Sequence, residues 1–293
     1  MPNVKANGIT LEYEELGQPG DPPLLLIMGL GAQMILWRED FCRELAARGH
    51  RVIRFDNRDV GKSTWLDHLG VPDVMATVTA ALMRQPVQAP YLLKDMAADA
   101  AGLLRALDIP RAHVVGASMG GMIAQTLAIE YPEMVLSLTS IMSSTGNPNL
   151  PQPQPEAMSA LLTPLPEGRE ANIERGIMVF RTIGSPTMFD ENEIRELATL
   201  SYDRGVNPAG VMRQLVAILA SGSRNEGLAK LRIPALVIHG KVDPLVPFAA
   251  GEDTAKAIPG AELLALDAMG HDLPRPLWPQ IIDAICKLTA RVG

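Results

Sequence analysis

Two cysteines, Cys42 and Cys286, are too few to staple a chain of 293 residues, so a disulfide framework is excluded. Long apolar runs are also missing. None approaches the roughly 18 residues that suggest a membrane-crossing helix, and the longest, Leu24 to Leu30, has the length of a buried strand. Positive charge is in deficit, with 26 Lys and Arg against 33 Asp and Glu for a formal charge of −7. No basic cluster offsets that deficit, which argues against a nucleic-acid or acidic-membrane partner, because phosphate binding needs grouped cations. The polar start Met1-Pro-Asn-Val-Lys-Ala-Asn-Gly lacks the apolar stretch of a secretory signal, so the cytoplasm is the expected compartment. What is present is a chain 47% hydrophobic and 20% charged, long enough to bury one large core, or a core domain carrying an insertion, unaided.

Alternation of Ile9, Leu11 and Tyr13 with polar neighbours predicts a half-exposed strand, and the turn-rich stretch 17–23 then leads into the buried strand Leu24-Leu-Leu-Ile-Met28. Apolar runs recur at 52–55, 113–115, 135–141, 235–238 and 263–266. Segments of helical period fall between or after them, at 40–48, 94–107, 119–131, 248–257 and 277–291. Strands alternating with helices predict an α/β fold with a mainly parallel central sheet and helices on both faces. The rhythm breaks where six of the 24 prolines fall between Pro148 and Pro166, a stretch in which no regular element is expected. From 170 to about 226 the pattern turns helical three times with no β-rich run, and alternation resumes at Ile233. The expected organisation is an α/β core at 1–144 and 230–293, with a helical cap or lid inserted at 145–229.

The sharpest chemical signal is His113-Val-Val-Gly116-Ala-Ser118-Met-Gly120-Gly121, a strand running through Gly-x-Ser-x-Gly into a helix. That context is the one the motif requires: the glycines remove side chains from a tight strand-to-helix turn and leave the Ser118 hydroxyl exposed on a strained elbow. An unassisted serine is a weak nucleophile, so a base and an orienting acid are needed. Asp243 follows the run 235–238, and His271 follows the last strand in Met269-Gly-His-Asp-Leu-Pro274, both on loops at the same sheet edge. Rivals are weaker. His239 ends a strand and suits support of the acid loop, Asp267 ends the last strand, and Asp272 adjoins His271 and would have to fold back on its neighbour's ring. No acid follows Ile141 in Ser143-Ser-Thr-Gly. The oxyanion of a tetrahedral intermediate needs N–H donors, for which the candidates are Met119, just after the nucleophile, and Leu30, in the Met28-Gly29-Leu30-Gly31 turn. Asp56-Asn-Arg58-Asp59-Val-Gly61-Lys-Ser63 lacks phosphate-loop spacing and reads as a structural loop bracing the site from beneath. With no dinucleotide fingerprint and no metal-ligand spacing, no cofactor and no metal are implied.

At these residues the chain resembles the α/β-hydrolase fold serine hydrolases, over nearly its whole length outside the cap. Gly116-x-Ser118-x-Gly120, Met28-Gly29 where the family more often has His-Gly, Asp56-x-Arg58-x-x-Gly61-x-Ser63, Asp243 and Gly270-His271 all fall in family order. The Met-Gly turn and the Gly-His-Asp-Leu-Pro segment look most like aclacinomycin methylesterase and related polyketide or macrolide esterases. That likeness implies hydrolysis of a carboxylic ester or lactone, such as an antibiotic's ester or macrolactone, with a small molecule as partner. Ser118 disfavours the family's haloalkane dehalogenases and epoxide hydrolases, which carry Asp there. Proline iminopeptidases usually have Trp where Met119 stands, together with acidic cap residues. Glu170, Glu174, Glu191, Glu193 and Glu196 could form such a patch, although a solvated helix face explains them as well. The same fold and residues would also suit a non-catalytic ligand-binding protein, or a cofactor-free lyase, perhydrolase or carbon–carbon hydrolase. The expected substrate is bulky, uncharged and apolar, in a pocket formed by Gly29, Met28, Met142 and Met269, with Met34, Met178 and Met212 around it, since methionine adapts to irregular shapes.

Overall fold

Strand alternation sorts the core of the molecule into two layers, one on each side of a single sheet. In the computed structural model, which describes residues 2–83 and 85–292, eight strands form that sheet. They are β1 (Asn3–Ala6), β2 (Ile9–Leu16), β3 (Pro23–Ile27), β4 (Arg51–Phe55), β5 (Ala112–Ala117), β6 (Val135–Ile141), β7 (Ala235–Gly240) and β8 (Glu262–Leu266), in the order β1-β2-β4-β3-β5-β6-β7-β8. The first two strands join antiparallel, and every pair from β4 to β8 is parallel. Along β3, Leu25 and Ile27 enter one apolar cluster while Leu24 and Leu26 enter the other. This is the period of two expected of a strand covered on both faces.

The helices are α1 (Glu39–Ala47), α2 (Val74–Leu82), α3 (Leu93–Ala106), α4 (Met119–Glu130), α5 (Pro155–Leu162), α6 (Arg169–Ile183), α7 (Glu191–Arg204), α8 (Pro208–Ala220), α9 (Asn225–Leu228), α10 (Phe248–Ala257) and α11 (Trp278–Thr289). On one face α3 and α4 bury Met96, Ala100, Ile123 and Leu127 against the sheet. On the other, α1 and α11 supply Phe41 and Leu45, and Trp278, Ile281, Ile282 and Ile285 at helical spacing. The chain moves from β3 outward to β4 and then returns past β3 to β5, so the loops leaving β3 and β5 diverge. Such a reversal of strand order opens a crevice at the C-terminal edge of a parallel sheet.

Between β6 and β7 the chain carries α5 to α9 and, among the described residues, no strand. The proline-rich stretch departs from expectation. Helix α5 lies inside it because Pro155 occupies the first turn, where the missing N–H costs nothing, and Pro164 stands beyond the helix end. Two further elements have no counterpart among the expected segments. β1 is four residues long, and α2 has an almost unbroken small-apolar sequence without clear amphipathic contrast. Among the described residues no helix is long and apolar enough to cross a membrane.

Two of the buried histidines, His113 and His50, meet in the core. His113 on β5 is 1% exposed, with Nδ1 2.8 Å from Ser137 Oγ, and its ring meets that of His50 edge-on. Burial, and secondarily the neighbouring His50, pushes the His113 pKa down to about 4. Burial lowers His50 as well. The unfolded chain therefore binds a proton at His113 before the folded one does. The associated stability is complete above the unfolded value of about 6.5 and is lost as pH falls toward 4, by roughly 2 kcal/mol between pH 7 and 5. Urea midpoints measured across that range should fall accordingly, and His113→Asn should flatten the slope. A variant that keeps the full slope would assign it to other groups.

Candidate active site

Ser118 stands between β5 and α4 with φ 55° and ψ −122°, a backbone conformation few non-glycine residues adopt. The surroundings hold it there: Ser118 N–H donates to the Ile141 carbonyl at 2.9 Å, and its own carbonyl accepts from Gly121 N–H at 2.9 Å and Ser143 Oγ at 2.8 Å. The flanking glycines are required by contact. A Cβ on Gly116 would collide with the Gly120 carbonyl, and one on Gly120 with the Ile27 carbonyl of β3. Helix α4 therefore packs backbone to backbone on the sheet and lifts Ser118 above its edge.

The loops after β7 and β8 come to the same point. His271 Nε2 lies 2.9 Å from Ser118 Oγ, and Nδ1 lies 2.7 Å from Asp243 Oδ2. A carboxylate can only accept, so the Nδ1 nitrogen carries the hydrogen and Nε2 presents its lone pair to the serine hydroxyl. The Asp243 side chain is fully buried, and its other oxygen accepts from Leu245 N–H at 2.9 Å and Val246 N–H at 2.8 Å. The His271 N–H donates to the Ile183 carbonyl at the end of α6, at 2.7 Å.

The rival groups are engaged elsewhere. Asp267 is exposed and paired with Lys241 at 2.7 Å. Asp272 accepts from Ser185 N–H at 3.0 Å and Ser185 Oγ at 2.5 Å, with its pKa raised by burial. His239 donates from Nε2 to the Val246 carbonyl at 2.8 Å, beneath the acid loop, and burial lowers its pKa. The acidic residues of α6 and α7 are tied to arginines: Glu170, Glu174 and Glu191 to Arg195, Glu193 to Arg275 and Arg38, and Glu196 to Arg38.

The turn after β3 runs beside the nucleophile. A Cβ on Gly29 would stand 3.1 Å from Ser118 Cβ. Ala32 N–H closes the turn onto the Gly29 carbonyl at 3.2 Å, with Gly31 at φ 64°. Met119 supplies the first N–H of α4, where no side chain caps the helix. Among the described residues, neither this N–H nor that of Leu30 has a hydrogen-bond acceptor.

The 56–63 loop sits beneath. Asp56 accepts from Met34 N–H at 2.7 Å and Lys62 N–H at 3.0 Å, and Asn57 Nδ2 donates to the Met28 carbonyl at 2.9 Å. Arg58 grips Asp99 through two nitrogens at 2.6 and 2.7 Å. Asp59 is held by Arg213 of α8 at 2.8 and 2.7 Å and by Tyr91 Oη at 2.8 Å. Burial opposes its ionisation, but these donors outweigh burial and hold its pKa below the usual carboxylate range.

The methionines expected around a pocket are distributed differently. Met269 and Met34 have no exposed surface, Met28 and Met142 retain 4% and 6%, and Met178 is 40% exposed on α6. Met28, Met142 and Met269 pack in the core cluster beneath the loops, where flexible side chains fill irregular space. Sequence reasoning missed the polar residues that tie α7 and α8 to the core loops: Gln33, Arg204, Arg213 and Gln214. A signal for Arg213 and Gln214 was present in Val211-Met-Arg213-Gln214-Leu-Val-Ala217, a polar pair inside an otherwise apolar helical run.

The sequence profile of the alpha/beta hydrolase fold matches residues 22–274. Rhodomycin D methylesterase of Streptomyces peucetius is 32% identical, covering 96% of this chain and 95% of that protein. A 2-hydroxy-6-oxononadienedioate/2-hydroxy-6-oxononatrienedioate hydrolase of Burkholderia vietnamiensis is 29% identical, covering 92% and 88%. Among solved structures, an enol-lactonase from Burkholderia xenovorans superposes with a TM-score of 0.69 at 24% identity, covering 99% of both chains.

The elbow's backbone contacts predict a contrast between two glycines. Gly120→Ala forces a methyl against a β3 carbonyl that cannot withdraw without breaking the sheet, and should cost about 3 kcal/mol or more in urea unfolding. Gly29→Ala comes no nearer than 3.1 Å to Ser118 Cβ and 3.3 Å to the Ala117 carbonyl, contacts that a shift of a few tenths of an ångström relieves, and should stay within about 1 kcal/mol of wild type. Equal midpoints for the two variants would show that α4 can retreat freely from β3.

Proposed function

Because the chain belongs to the α/β-hydrolase family, we propose that it is a carboxylic ester hydrolase working through an acyl-enzyme on Ser118. The observation that carries this reading is the unbroken hydrogen-bonded chain Ser118–His271–Asp243 at the crevice of the sheet. Ser118 Oγ attacks the ester carbonyl while His271 Nε2 takes its proton, and Asp243 holds the ring and stabilises the imidazolium. The N–H groups of Leu30 and Met119 receive the charge that develops on the carbonyl oxygen. Collapse expels the alcohol with the proton from His271. A water activated by the same nitrogen then releases the acid and restores Ser118.

We take residues 145–229 as the cap and 1–144 with 230–293 as the core, the substrate lying between them. The proposed substrate is an uncharged, bulky, apolar ester or lactone of polyketide type. Two observations support it. The methylesterase named above is similar over almost the whole of both chains. Ile183 and Leu245, beside the His271 and Asp243 loops, join an apolar cluster with Ala157, and the α6 and α7 carboxylates that could have held a substrate amine are paired with arginines. The second observation favours an ester over the N-terminal amine of a peptide.

Intact-mass measurement after fluorophosphonate treatment should find one adduct, lost in Ser118→Ala with the fold retained. Labelling at another residue would overturn the assignment. Asp243→Asn should lose kcat by about 10⁴-fold, whereas Asp267→Asn should stay near wild type. In a panel of aromatic polyketide methyl esters, macrolactones, short acyl esters, amino-acid amides and vinylogous diketo acids, the first two should give the highest kcat/KM. Preference for amides would make the enzyme an aminopeptidase, and preference for the diketo acids a carbon–carbon hydrolase.

A further inference from the structure

The turn that borders Ser118 is held from the insert as well as from the core. Gln214 on α8 is fully buried, accepts the Gly31 N–H at 2.8 Å, and donates from Nε2 to the Arg58 carbonyl at 2.8 Å. Its amide orientation is dictated, since one neighbour can only donate and the other can only accept. Val211, three residues earlier on the same helical face, packs against the same glycine, where a Gly31 Cβ would come 2.9 Å from Val211 Cγ2. One face of α8 therefore seats on Gly31 and takes its N–H.

That N–H belongs to the Leu30–Gly31 peptide. In a turn closed from Gly29 to Ala32, this central peptide is the unit whose flip separates the two common turn types, and a positive φ at the third residue selects one of them. The hydrogen bond to Gln214 holds that choice. It also uses up the Gly31 N–H, so that of the two adjacent donors only Leu30 N–H remains for a ligand.

We propose that Gln214 is a positioning residue for the oxyanion turn: by taking the Gly31 N–H it holds the whole Gly29–Ala32 turn in one conformation and at one place, so that the Leu30 N–H on the neighbouring Gly29–Leu30 peptide stays beside Ser118 and faces the oxygen of the tetrahedral intermediate. The inference rests on the ester-hydrolase reading and adds that α8 is part of the catalytic scaffold and remains seated through the reaction cycle. A donor fixed in advance stabilises charge that exists only in the transition state. Its loss therefore lowers kcat and leaves KM nearly unchanged.

The experiment compares wild type, Gln214→Met, Gln214→Glu and Arg204→Met. The last removes a different tie between insert and core, to Asp56 at 2.5 Å and Gln33 at 2.7 Å, and spares the Gly31 bond. Readouts are kcat and KM on a p-nitrophenyl ester, the fluorophosphonate labelling rate of Ser118, and thermal unfolding. Gln214→Met should lose about 10–100-fold in kcat and in labelling rate at near-constant KM. Gln214→Glu keeps an acceptor for Gly31 N–H and, when protonated, a donor for Arg58, so it should recover part of the rate, more at lower pH relative to wild type. Arg204→Met should lower Tm with kcat within about threefold of wild type. Wild-type rates in Gln214→Met, or equal kcat losses in Gln214→Met and Arg204→Met, would overturn the positioning role. If Gln214→Met does not fold, a Gln214→Glu rate that fails to recover relative to wild type as pH falls overturns it instead. Wild-type protein that neither turns over esters nor labels at Ser118 would instead overturn the hydrolase reading beneath it.

Discussion

Everything at the crevice depends on one backbone contact, the seating of the first turn of α4 against the C-terminal ends of β5 and β3. Gly120 lies against the Ile27 carbonyl and Gly116 against Gly120, with no room for a Cβ at either position. This closeness forces the chain to reverse within one residue, and Ser118 takes the unfavourable φ that results. The strain is carried by backbone hydrogen bonds to β6 and α4, and by Ser143, rather than by the serine side chain. Its hydroxyl is thereby left for His271.

The insert is joined to the core in two chemically different ways. Near the His271 and Asp243 loops the contact is apolar, through Ala157, Ile183 and Leu245, with Ser185 fixing Asp272. Near the β3 and β4 loops it is polar and buried, through Arg213 on Asp59, Arg204 on Asp56 and Gln214 on Gly31. Buried ion pairs contribute little net stability once desolvation is counted, but breaking one partner is costly and they admit a single geometry. Arg213 and Gln214, both on α8, are thus suited to fixing the position of that helix over the turn. The apolar side, lacking directional bonds, is suited to adapting around a ligand.

Much of the fold was legible in the chain because strand and helix periods leave a local imprint. The strand at Val135–Ile141 and the helix at Phe248–Ala257 occur with the bounds expected. Helix α5 was obscured because proline is compatible with a first turn and incompatible with an interior, a distinction that depends on register. β1 was too short to leave a pattern, and it exists through pairing with β2.

Local sequence specified the chemistry available: a serine between glycines at a strand–helix junction, and an acid and a histidine after later strands, each in a local pattern with few rivals. Which of these groups meet was settled by the packing of the whole chain. Asp243 rather than Asp267 reaches His271, Met269 and Met34 belong to the core, and an arginine and a glutamine inside an apolar helix hold loops more than 140 positions earlier in the chain. Periodicity and turn propensity are properties of neighbours in sequence. Hydrogen-bond partners and burial are set by the approach of segments remote in the chain, which no local pattern encodes.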